Sequence, residues 1–172
     1  MARRLAADPA PPPGLVGLTH LLLVRHAHAG DRAAWTAPDV ERPLSDRGRR
    51  QAEGIVALLA AIPFSEVWSS PAVRCVQTVE PLAAARGLAV EKSQLLLEGA
   101  DPGKTMAWIE NLVDEASVVA CTHGDLIPAL LDDAAAAGCV LPKDVRWGKG
   151  STWVLERDAG AWLRATYLPA AG

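Results

Sequence analysis

The feature that most restricts this chain is Leu21-Leu22-Leu23-Val24 followed at once by Arg25-His26. An uninterrupted apolar run of this length, preceded by Pro/Gly-rich sequence, reads as a short strand buried on both faces. Strands of that kind belong to parallel sheets covered by helices, and their carboxyl ends are where open α/β sheets place ligand crevices. An arginine and a histidine at such an end are held on rigid backbone, as nucleophilic chemistry requires. A second buried strand, Ser117 to Cys121, ends in Thr122-His123-Gly124-Asp125. In a parallel sheet both carboxyl ends share one edge, so His26 and His123 meet there by topology.

The intervening chain alternates helices and strands. Ser45 suits the N-cap of a helix running to about Ala61, stopped by Pro63. Glu66 to Ser69 is a short strand, and Ser70-Pro71 starts a helix toward Arg86 that Pro81 kinks or ends early. Leu88 to Val90 is a possible strand, Leu95 to Leu97 an apolar segment ending at Glu98, and Lys104 to Asp114 a helix. Leu126 to Ala137 is a further helix, with Gly138 as its cap. Ser151 to Glu156 and Trp162 to Tyr167 form a terminal hairpin around Asp158-Ala159-Gly160. The expected fold is a three-layer α/β/α sandwich with a mainly parallel sheet and right-handed crossovers. A long loop, Ala29 to Pro43, lies beside the expected crevice and is placed to wall it.

With 172 residues, half of them apolar, the chain can bury a full core as one domain. We expect residues 1–17 to be a flexible tail and 18–172 the single domain. Arg3 and Arg4 invite a secretion-signal reading, but Asp8 and the prolines at 9, 11, 12 and 13 interrupt it. No apolar run reaches the ~18 residues of a membrane helix. A net charge of −3 argues against a nucleic-acid polymer as partner. Cys75, Cys121 and Cys139 have no metal-ligand spacing and read as reduced, buried thiols of a cytoplasmic protein. The four histidines show no helical ligand spacing either, so neither metal nor cofactor is expected.

The chemistry available is phosphoryl transfer. Neutral imidazole is a good nucleophile toward phosphorus, and its phosphorylated form is labile. The equatorial oxygens of the transferring group need cationic hydrogen-bond donors, which arginine's planar fork supplies. Arg25 lies beside His26, and Arg74 follows Ser69-Ser70-Pro71, where a strand end runs into a helix and hydroxyls and amides converge. His123 adds a donor, and Glu98 is a proton source for a leaving oxygen. His28 reads as a loop or pocket-wall residue. Arg42, Arg47, Arg49 and Arg50 read as a solvated helix start, with Arg42 open to an internal salt bridge. Trp35 and Lys149 lie in segments able to wall the pocket, whereas Trp153 and Trp162 read as core.

Arg25-His26-Ala27, Arg42-Pro43-Leu44-Ser45 with Gly48 and Gln51-Ala52, Ser69-Ser70-Pro71 with Arg74, Leu97-Glu98 and Thr122-His123-Gly124 stand in one order. In that order they resemble the histidine phosphatase superfamily, the phosphoglycerate-mutase-like fold, over residues 18 to about 168. The resemblance implies a phosphorylated nucleophile at His26, a phosphate pocket of Arg25, Arg74 and His123, and Glu98 as proton donor. The family's usual glycine after Arg-His is Ala27 here, and Arg32 stands where many members have an asparagine phosphate ligand. The chain lacks the mutases' long insertions. It is more similar to short SixA phosphohistidine phosphatases and to the domain fused to some Nudix hydrolases, some of which act on nucleotides. The resemblance therefore implies a small phosphorylated metabolite or nucleotide as substrate. A phosphohistidine protein is the alternative, and a non-catalytic phosphate-binding domain is the third reading.

Overall fold

A computed structural model describes residues 17–171. All of the expected tail except Gly17 lies outside them. The described chain runs β1 (Thr19–Arg25), α1 (Asp46–Leu58), β2 (Glu66–Ser69), α2 (Val73–Ala85), β3 (Val90–Lys92), α3 (Pro102–Glu115), β4 (Val118–Thr122), α4 (Leu126–Ala136), β5 (Thr152–Asp158) and β6 (Ala161–Leu168). Short 3-10 turns at Asp39–Glu41 and Gln94–Leu96 lie in the connections. The six strands form one sheet in the order β3-β2-β4-β1-β5-β6. β1 to β4 are mutually parallel, and β5 and β6 add an antiparallel hairpin to β1's other side.

Side-chain alternation along the strands sorts the core into two layers. Leu22, Val24, Val119 and Cys121 pack with Ile55 and Leu59 of the first helical hairpin and with Cys75, Val79 and Leu82 of α2. Leu21, Leu23, Ala120 and Trp153 pack on the opposite face, with Ile109 and Val113 of α3 and Leu126 and Leu130 of α4. Residues Leu21 through Val24 are fully buried. Burial is worth roughly 1.5–3 kcal/mol for each such side chain, so β1 is a firmly held frame at the centre of the sheet. Trp153 and Trp162 are core residues, as expected.

Boundaries depart from the sequence reading in physically explicable ways. α1 ends at Leu58, because Leu59 to Ala61 already turn toward Pro63. Pro81 sits inside α2 without ending it; buried Val79, Leu82 and Ala83 hold that turn against the sheet. Pro71 precedes α2, whose N-cap is Ala72. The third strand is Val90–Lys92, two residues later than expected. Its residues carry no apolar run, and it is defined by its ladder to Val67, Trp68 and Ser69. In the terminal hairpin, Ala159 (φ 47°) and Gly160 (φ 78°) both have positive φ, as a type I′ turn demands. Among the described residues no helix is long and apolar enough to cross a membrane.

Candidate active site

β1 and β4 are in register at Arg25↔Thr122, and β2 joins them at Ser69↔Cys121, so their carboxyl ends lie side by side. The alignment continues past the strands: His26 N–H donates to the Thr122 carbonyl (3.0 Å) and Ser70 N–H to that of Cys121 (2.9 Å). The imidazoles of His26 and His123 thereby meet edge to face, with centroids 5.4 Å apart. Around them is a cleft of about 380 Å³ lined by Arg25, His26, Arg32, Arg74, Glu98, His123 and Lys149, together with Gly30, Asp31, Arg42, Gly124 and Asp125. Seven of the residues singled out from sequence thus share one cavity.

His26 is buried, and its Nδ1 lies 2.9 Å from the carbonyl of Ala27. A carbonyl only accepts, so the proton is on Nδ1 and the lone pair on Nε2. Burial, reinforced by the positive fields of Arg74, His123 and Arg25, pushes the imidazole pKa down to about 3 against the opposing pull of that carbonyl. At neutral pH the ring is therefore an uncharged base. Ala27 N–H is held by Thr78 Oγ1 (2.9 Å), which donates onward to the Arg74 carbonyl (2.6 Å). The only described non-glycine with positive φ is Ala159, so the backbone at Ala27 requires no glycine.

His123 is fixed from both sides. Arg74 Nη2 can only donate, so His123 Nδ1, 3.3 Å away, is the acceptor and Nε2–H points to Ser70 Oγ at 2.8 Å. Cys75 Sγ lies 3.5 Å from the same Nε2. Here the sequence reading needs correction for Ser69, whose hydroxyl proton is already spent on the Ser70 carbonyl, whereas Ser70 Oγ accepts from His123 and from Ala72 N–H. All three cysteines are free and buried.

Arg25 and Arg74 hold the decisive electrostatic feature. Arg25 donates from Nη1 to the Trp147 carbonyl (2.6 Å), and its guanidinium lies over Gly124. Arg74 donates from Nη1 to the Asp39 carbonyl (2.8 Å), and its Nη2 is ion-paired with the Asp39 carboxylate (3.0 Å). The Nε–H of each is buried with no hydrogen-bond partner among the described residues. A buried N–H left unpaired costs free energy until an acceptor arrives. Two of them in one cationic cleft are donors chemically suited to an oxyanion. Lys149 adds a further positive charge. Burial first, and then the fields of Arg25, Arg42, Arg47 and Arg74, hold its pKa below the ordinary lysine range.

Other assignments shift. Arg32 does reach the pocket, as a surface residue whose fork spans to Glu98 (3.3 Å to each oxygen). Glu98 Oε2 is also 3.7 Å from Arg74 Nη2. Trp35 does not wall this cavity. A turn closed by Trp35 N–H to the Arg32 carbonyl carries it away, its Nε1 donates to the Pro38 carbonyl, and it lines an adjoining cleft of about 260 Å³. Arg146 pairs with Asp144 outside the pocket. Arg42 is buried, bound to Asp39 (2.9 Å) and to the Ala29 carbonyl (2.7 Å), the internal salt bridge that its position left open. His28 is spent on Ser45 Oγ (2.7 Å) in tying the loop to α1.

Sequence reasoning missed Asp39, which contacts Arg32, Arg42 and Arg74 at once. Its only sequence signal is the Asp39-x-x-Arg42 spacing. Against the opposing effect of burial, the Arg42 hydrogen bond and the fields of Arg74, Arg42 and Arg32 hold its carboxyl below the usual range. Among the described residues no cluster of His, Cys, Asp and Glu suited to a metal ion is found.

Residues 21–105 match the family model of the histidine phosphatase superfamily, branch 1. Over 152 residues the chain is 38% identical to the 8-oxo-(d)GTP phosphatase of Mycolicibacterium smegmatis. The matched residues, 21–105, are those of the histidine phosphatase superfamily. The alignment over 152 residues covers 86% of this chain and 47% of the relative, so the chain spans about half the length of the protein it matches. Among solved structures, the chain resembles the protein histidine phosphatase SixA complexed with tungstate. The TM-score is 0.69 at 24% identity, covering 88% of this chain and 95% of that one. A mycobacterial glucosyl-3-phosphoglycerate phosphatase gives 0.63 at 19% identity, covering 87% and 97%. At such identities these two likenesses establish the shared fold alone.

Proposed function

We propose that the protein is a metal-independent phosphatase that passes the phosphoryl group of a small phosphorylated metabolite or nucleotide through a covalent intermediate on His26. The observation that carries this reading is the pair of unpartnered, buried guanidinium Nε–H groups of Arg25 and Arg74 beside an uncharged His26. In the first step the Nε2 lone pair forms the N–P bond while the bond to the leaving oxygen breaks. Arg25, Arg74 and His123 take the charge on the equatorial oxygens, and Glu98 gives its proton to the leaving oxygen. In the second step Glu98 takes a proton from water as that water attacks phosphorus, which releases phosphate and restores the Nε2 lone pair. Arg32 grips the Glu98 carboxylate, so an incoming anion competes for Arg32 and frees Glu98 to take up the proton that it then donates. The five cationic side chains lining the cleft disfavour a metal ion in it.

A small leaving group is supported by Lys149 and Arg32 at the mouth and by the name of the 38% identical relative. One observation favours the second reading, a protein phosphohistidine: with Trp35 displaced, no Trp, Tyr or Phe among the described residues lines the phosphate cleft. The deciding experiment measures phosphate release from nucleotides and phosphorylated metabolites beside a phosphorylated histidine-containing transfer domain. His26→Ala should be inactive on the preferred substrate, wild type should yield an acid-labile, base-stable phosphoryl adduct on rapid quench, and chelator should change nothing. Full activity in His26→Ala would end the proposal. Preference for the protein substrate, with Lys149→Ala leaving nucleotide turnover unchanged, would transfer it to the second reading.

A further inference from the structure

A guanidinium offers two forks, one formed by Nη1 with Nη2 and one by Nε with the second N–H of Nη2. In Arg74 the first fork faces a single residue: Nη1 donates to the backbone carbonyl of Asp39 at 2.8 Å, and Nη2 is ion-paired with its carboxylate at 3.0 Å. What remains unpartnered among the described residues is the buried Nε–H; its neighbour on that edge, Nη2, also reaches His123 Nδ1 at 3.3 Å, and Arg74 itself is only 2% exposed. Asp39 is in turn held by Arg42, whose other donor is fastened to the Ala29 carbonyl, so the clamp is tied into the loop that follows β1.

We infer that Asp39 is the positioning residue for Arg74: by holding the Nη1–Nη2 side of the guanidinium with its carbonyl and carboxylate, it aims the Nε–H edge at the transferring phosphoryl group. The inference rests on the phosphatase reading above, in which Arg74 contacts the phosphoryl oxygens. Bidentate recognition depends on the plane of the guanidinium as much as on its charge. A guanidinium free to rotate about its last bonds would keep its charge and lose its aim. Asp39 thus acts through Arg74 without touching the substrate. A carboxylate whose role were only to neutralise Arg74 would weaken oxyanion binding, and its removal would strengthen it. The two roles have opposite signs.

The test is a double-mutant cycle of Asp39→Ala and Arg74→Lys, read by two measurements. The first is the affinity for inorganic phosphate by calorimetry, which needs no turnover. The second is kcat and KM on the best substrate of the panel. Asp39→Ala should weaken phosphate binding and lower kcat by about tenfold each with KM little changed, as expected when a transition-state contact loses alignment. On the Arg74→Lys background the same substitution should change either quantity by less than about twofold, because the edge it aims is gone. Asp39 also neutralises buried Arg42, so thermal unfolding of each variant is followed. Asp39→Asn, which keeps one acceptor oxygen, is run through the same cycle and should fall between wild type and alanine. Independent, multiplying losses would overturn the inference, as would tighter phosphate binding in Asp39→Ala. If wild type turns over no substrate, the phosphatase reading fails, while the calorimetric cycle still decides the role of Asp39.

Discussion

Gly124 shows how little room the site allows at the scale of one residue. A Cβ there would stand 2.7 Å from Arg25 Nη2, 2.8 Å from Cζ and 2.9 Å from Nε. The guanidinium is the flexible end of a side chain, but Nη1 is anchored to the Trp147 carbonyl. Gly124→Ala should therefore cost little stability, within about 1 kcal/mol, while pushing Arg25 off its place. We expect phosphate affinity and kcat to fall by about tenfold or more in steady-state assays with phosphate as inhibitor. Unchanged kinetics would mean that the position of Arg25 is not critical. The Arg25-His26 pair was legible in the sequence because a buried strand announces its own end. Asp39 was not, since its partnership with Arg74 crosses from one loop to a helix and leaves no periodic trace. Trp35 misled for a related reason, because an indole in a loop beside a site says nothing about which way the turn carries it.

Among the elements, α1 is bound most tightly to the site's frame. Ser45 caps it through the Gly48 N–H (3.1 Å) and also receives His28, while Gln51 Oε1 accepts the His28 N–H at 2.9 Å. The helix runs so close to the loop that a Cβ on Gly48 would lie 2.0 Å from the His28 carbonyl oxygen. Backbone cannot step aside as a side-chain end can. Gly48→Ala should cost about 2 kcal/mol or more despite alanine's better helix propensity. Gly103→Ala in the first turn of α3, where the nearest atom is an Asp101 oxygen at 3.4 Å, should be neutral or stabilising. Urea midpoints for the two variants check this, and equal midpoints would contradict it. Helices and central strands were readable because their burial writes a period. β3 was misplaced because an edge strand with exposed Glu91 and Lys92 is specified by its partner's hydrogen bonds rather than its own sequence.

For the molecule as a whole, the buried imidazole links function to acid stability. The pKa of His26 is about 3 when folded, against 6.5 as its ordinary value. A group whose folded pKa is depressed favours its neutral form in the native state. Its contribution is complete above pH 6.5 and is lost as pH falls toward 3, by at most about 1.4 kcal/mol per pH unit. Wild type should lose stability between pH 6.5 and 4.5 more steeply than His26→Ala when urea unfolding is compared across that range. Parallel slopes would show that the imidazole is protonated in the folded protein. The net charge of −3 conceals this site, where cations converge and draw anions toward the cleft. One consequence of the sheet order remains. β1 and β4 lie at the centre, flanked on both sides, whereas the segments 29–43 and 146–150 belong to no strand or α-helix. On the reading proposed above, the groups that handle phosphorus are thus rooted where the chain tolerates change least, and the segments offered to the rest of the substrate where it tolerates change most. A lineage built on this plan can exchange one diet of phosphorylated compounds for another without renegotiating how it folds.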